Sequence, residues 1–152
     1  MWTDSHICLL PFSIANNDLR PEGAKILAEA LHVNSSMTKL NIWDSNIGVE
    51  GATAIVDAAP TQMRTLCGDM FEEGQTEADL SGKKLGAEGA ILVAWDLRAG
   101  FVSSSMTSVD LSSNQLCGIG TNPKGPTYGN YDATGIEAIA EALRVSTSMK
   151  FL

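Results

Sequence analysis

Two hydrophobic rhythms alternate along the chain. The first is seen in MTSVDLSSNQL, residues 106–116, where apolar residues hold positions 1, 4, 6 and 11 and Asn114 holds position 9. It returns as MTKLNIWDSNI from Met37, as LLPFSIANNDL from Leu9 and as QTEADLSGKKL from Gln75. MRTLCG from Met63 begins the same way and departs, and a last copy opens at Met149 and stops at Leu152. The second rhythm follows each full copy: LRPEGAKILAEAL, IGVEGATAIVDAA, LGAEGAILVAWDL and DATGIEAIAEAL, which align on Gly23, Gly51, Gly89 and Gly135. Their apolar residues recur at helical spacing, with an inward column of Leu27, Ile55, Val93 and Ile139 and then Leu31, Leu97 and Leu143 four residues on. Each unit therefore predicts a strand, a turn, an amphipathic helix and a return loop.

The starts at 9, 37, 63, 75, 106 and 149 set the organisation. The spacing from 9 to 37 is the basic period, and the slightly longer one from 75 to 106 carries a small extension near RAGFVSSS. The much longer spacing from 106 to 149 holds an addition, the insert loop 117–131. The stretch 63–74 is too short for a unit and reads as a rung without a helix. Residues 1–152 thus read as one array of about four full or partial repeats. Parallel strands sit about 4.8 Å apart and packed helices about 8–10 Å apart, so stacked units must curve. The expected architecture is an α/β solenoid with a parallel sheet on the concave side and helices on the convex side.

The pattern LxxLxLxxNxL, followed by G-x-E-G-A and a helix ending L-x-x-[NS]-x-S, resembles leucine-rich repeats of the ribonuclease-inhibitor type. Ran GTPase-activating protein and the sensing halves of NOD-like receptors carry repeats of this type. The stretches LCGDMFEEGQTEADLSGKKLGAEGA and LCGIGTNPKGPTYGNYDATGIEA most resemble repeats of algae and other protists. The resemblance implies a right-handed β–α horseshoe and a role in binding proteins. It also implies that the asparagine at position 9 ties neighbouring loops together. Asn17 and Asn114 fit, whereas Ser45 and Lys83 stand there in two other rungs, so an interrupted ladder is expected.

Positions 3, 5, 7 and 8 of each rung face the concave side in this reading. They are Lys39, Asn41, Trp43 and Asp44; Thr65, Cys67 and Asp69; Glu77, Asp79 and Ser81; Ser108, Asp110 and Ser112. Asp69, Glu77, Asp79 and Asp110 form an acidic stripe with Trp43 at one end. Like charges on adjacent strands cost stability. A basic segment of a protein partner would relieve that repulsion and anchor on the tryptophan; a solvated polar face is the plain alternative. The outward helix columns read Lys25, Thr53, Ile91, Glu137 and Glu29, Asp57, Trp95, Glu141. Ile91 and Trp95 break both, either as a second contact surface or because an irregular segment packs over them.

Charge narrows the partners. With 10 basic and 18 acidic residues the net charge is −8, which disfavours nucleic acid and anionic membrane surfaces. The longest uncharged apolar stretch, GAILVAW, is far too short for a membrane span, and the N-terminus lacks a signal-peptide pattern. Cys8, Cys67 and Cys117 are an odd number and widely spaced, which suits reduced, buried thiols in a cytoplasmic protein. The sequon at Asn34-Ser35-Ser36 lies where the repeat itself calls for those residues.

No catalytic set emerges. His6 and His32 are isolated, no Cys/His metal spacing is present, and GIG with PKGPT lacks the order of a phosphate loop. Neither a catalytic residue nor a metal nor a cofactor is expected. The expected function is a protein-interaction module or scaffold; a small-GTPase regulator of the Ran type, or a structural subunit of a larger assembly, is the alternative. The chain stops four residues into a rung, which reads as a piece of a longer array or as open ends that a partner, or end-to-end association, covers.

Overall fold

Strands of three residues alternate with helices of 11 to 14 residues. The computed structural model describes residues 11–122 and 124–146, with the backbone alone at 100 and 101. The start of the first rung at Leu9, the partial rung from Met149, and His6, Cys8 and Pro123 lie outside the described residues. The order is β1 (Pro11–Ser13), α1 (Arg20–Val33), β2 (Lys39–Asn41), α2 (Gly48–Ala58), β3 (Glu77–Asp79), α3 (Gly86–Arg98), the one-turn helix α4 (Gly100–Ser103), β4 (Ser108–Asp110) and α5 (Thr134–Val145).

Strand pairing follows the repeat. β1 and β2 are parallel with Pro11 opposite Lys39, one basic period on, and β3 and β4 are parallel with Glu77 opposite Ser108, one extended period on. Those offsets are the spacings of the sequence rhythm. The extension is taken up by α4, which sits where the sequence places it. The helices pack in series, α1 on α2, α2 on α3 and α3 on α5.

The glycine column marks where helices come closest. A Cβ on Gly51 would lie 2.7 Å from that of Ala24 in α1, and one on Gly135 would lie 2.7 Å from the Cα of Ala87 in α3. Ile55, Val93, Ile139, Leu31 and Leu97 are buried as the inward columns require. Leu27 and Leu143 are half-buried instead, because Ala24, Ala28 and Leu31 take the inner face of α1 and Ile139 and Ala142 that of α5. α3 lies between α2 and α5 and buries nine of its residues.

Two expectations change. The parallel sheet is not continuous: among the described residues it forms two separate pairs, β1–β2 and β3–β4. Thr65 and Cys67 bridge to Lys39 and Asn41 of β2, and the chain then turns through a short 3-10 helix, Gly68–Met70. No α-helix follows before β3. The ladder at position 9 also differs. Asn114 donates to Leu80 O at 2.7 Å in the rung before and to Leu111 O at 3.0 Å in its own. Ser45 makes the same crossing, its hydroxyl donating to Ile14 O at 3.1 Å, so the serine does not interrupt the ladder.

The insert doubles back on itself. Gly120 and Tyr128 form an antiparallel bridge, and the Tyr128 ring covers Gly120, where a Cβ would be only 2.2 Å from the ring. Tyr128 and Tyr131 are exposed. Asn34, the sequon asparagine, ends α1 and accepts from the amides of Ser36 and Met37, closing the return loop.

Candidate functional site

Strand positions 3 and 5 carry the candidate residues outward while position 4 points into the core. Leu40 and Ala78 are buried, whereas Glu77, Asp79, Ser108 and Asp110 are exposed and Lys39 and Asn41 half-buried. Each strand ends after position 5, so Trp43, Asp44, Ser81 and Ser112 lie in the turn beyond the strand. Position 8 is left-handed in every full rung, with φ of +59° at Asn16, +53° at Asp44, +63° at Gly82 and +59° at Ser113. Asp44 is therefore an exposed turn residue, not a strand one.

One hydrogen bond recurs at the ends of β2, β3 and β4. The side-chain oxygen at position 5 accepts from the amide two residues on: Asn41 from Trp43 at 3.1 Å, Asp79 from Ser81 at 2.9 Å and Asp110 from Ser112 at 2.8 Å. Bonds from Ser81, and the nearby Lys83, hold the Asp79 carboxyl below its ordinary range. Asn41 does the same work without charge. The turn therefore calls for an oxygen acceptor and not for a carboxylate. Even so, Asp79 and Asp110 are direct cross-strand partners.

The break between the strand pairs opens a cleft of about 500 Å³. Asn41 and Trp43 line it from the β2 side, Asp69 and Met70 from the 3-10 turn, and Asp79 and Lys83 from the β3 side. A smaller cleft of about 90 Å³ lies beside it, sharing Trp43 and Lys83 and reaching Asp44, Lys84 and Glu88. Burial raises the Glu88 carboxyl above its ordinary range, against a bond from the Gly48 amide, and Asp44 repels it further.

Thr65 and Cys67 do not belong to the exposed face. They are buried at 0% and 1% exposure because the Asp96 carboxylate of α3 lies beneath them. Asp96 accepts from Thr65 Oγ1 at 2.7 Å, from the Leu66 amide at 2.8 Å and from the Cys67 amide at 3.2 Å. The signal was in the alignment: the column through Asp96 otherwise reads Ala30, Ala58 and Ala142. Burial pushes the Asp96 carboxyl up to about 6, against those bonds, and pushes the Cys67 thiol well above its ordinary value. Cys67 and the half-buried Cys117 are free thiols.

On the helix side, Ile91 is 7% exposed and belongs to the core, while Trp95 is half-buried. Ile91 thus offers no open contact surface. Among the described residues no group of three or more His, Cys, Asp or Glu side chains is placed to hold a metal ion. No described helix is long and apolar enough to cross a membrane.

Residues 33–56 match a family model, the Leucine Rich repeat. The matched stretch runs from the end of α1 through β2 and Trp43 into α2. It supports a leucine-rich repeat protein with an α/β fold of parallel strands and helices. Leucine-rich repeats generally mediate protein–protein interaction. No curated protein matches the chain.

Proposed function

We propose that the leucine-rich repeats stack as a right-handed horseshoe of the ribonuclease-inhibitor type and that the strand face, on its concave side, docks a basic segment of a partner protein. The role is binding rather than catalysis. The observation that carries this reading is Asp79 opposite Asp110 in parallel register, where the neutral Asn41 serves the same turn. A charge that the local fold does not need, kept against a like charge, fits a surface complementary to a cation. Glu77 and Asp69 extend the same sign along the face, and both are exposed.

Changing Asp79→Asn and Asp110→Asn together tests this, because the amide oxygen keeps each turn bond while the charge goes. The probe is a capped octapeptide alternating lysine and glycine, titrated calorimetrically at low salt. The original chain should bind it and the double variant should bind at least about tenfold more weakly, with a slightly raised melting temperature. Equal binding by both proteins would remove the reading.

A further inference from the structure

The cleft at the break has a composition that a continuous sheet would not provide. Trp43 stands at one wall: its ring packs on α3, the Cη2 atom 3.3 Å from where Gly89 would carry a Cβ, and its backbone amide donates to Asn41 Oδ1 at 3.1 Å. The thioether of Met70 adds a second, adaptable apolar wall. Asp69 and Asp79 reach the cleft from two different elements, and Lys83 stands on its rim. An aromatic surface, an apolar wall and two carboxylates suit a cation that is also flat and weakly hydrated. Guanidinium meets that description, since it stacks on aromatic rings and forks to carboxylates. A lysine ammonium offers the charge without the plane, and it competes with Lys83 for Asp79 on equal terms.

Resting on the reading of the acidic face above, we propose that this notch seats an arginine side chain of the partner's basic segment, its guanidinium against the Trp43 ring between Asp69 and Asp79. The arginine stem lies along Met70. Selection of arginine over lysine then belongs to the break in the sheet, and general attraction of cations to the stripe beside it.

The test uses two capped peptides of glycine and serine, one carrying two arginines and the other two lysines, titrated into the ¹⁵N-labelled chain. Trp43→Phe assigns the Trp43 indole resonance. The arginine peptide should move that resonance and bind about tenfold more tightly than the lysine peptide. Asp69→Asn, at an exposed turn position, should reduce the preference without unfolding the chain, and Trp43→Leu should abolish it. Equal affinities with the Trp43 indole unmoved would overturn the notch. The acidic face would still stand if Asp79→Asn with Asp110→Asn weakened both peptides. Binding by neither peptide would overturn both proposals.

Discussion

Asp96 is a carboxylate that the fold buries completely and then satisfies with three donors, all from the rung Thr65–Cys67. Its folded pKa of about 6 lies above the ordinary value of a free aspartate. The folded chain therefore binds more protons than the unfolded one between about pH 4 and pH 6, so this residue's contribution to stability falls as pH rises through that window. The expected loss is about 2 kcal/mol from pH 4 to pH 7. Denaturant unfolding should show it as a slope that Asp96→Asn flattens, other carboxylates being common to both proteins. Asp96→Ala, which restores the residue of the aligned column, leaves the Leu66 amide unpaired while the Cys67 amide keeps its bond to Thr65 Oγ1, and should cost about 2 kcal/mol at neutral pH. The alignment displayed the odd aspartate. What it could not display was the object beneath it, because the contact joins a helix to a rung far earlier in the chain.

At the scale of elements, the rung without a helix has one rigid requirement. Gly68 turns it away from the strand layer at φ +65°, and a Cβ there would lie 2.7 Å from the Cβ and Cγ of Asn41. Gly68→Ala adds backbone strain to that collision and should cost about 2–3 kcal/mol, read as a lowered denaturation midpoint. Apolar spacing made the strands and the four longer helices legible, since both are periodic. The break between β2 and β3 was not, because the shortness of the stretch 63–74 excludes a helix without saying whether the next strand still pairs. The same alternation points Thr65 and Cys67 outward, because it locates a side chain on a strand but not what packs against it. At Ser45 the position mattered more than the residue type, since a hydroxyl reaches Ile14 O as an asparagine would.

For the molecule as a whole, the excess of 18 acidic over 10 basic residues acts on stability and on binding in opposite senses. The described ion pairs include Lys25–Glu50, joining α1 to α2, and Arg144–Glu141 within α5. Raising sodium chloride from about 20 to about 500 mM screens self-repulsion and should lift the melting temperature by a few degrees. The same change should weaken binding of the lysine–glycine peptide at least about tenfold if the proposed face is its site. If both quantities moved together, the strand face would not be the charged surface that matters.

The missing pairing between β2 and β3 also has a mechanical meaning. On the helix side α2 and α3 are in close contact, and Asp96 fastens the short rung to α3. On the strand side no ladder crosses from that rung to β3. A joint fastened along one edge and unlaced along the other is a hinge. Bending about α2 and α3 would change the mouth of the cleft without breaking a strand hydrogen bond.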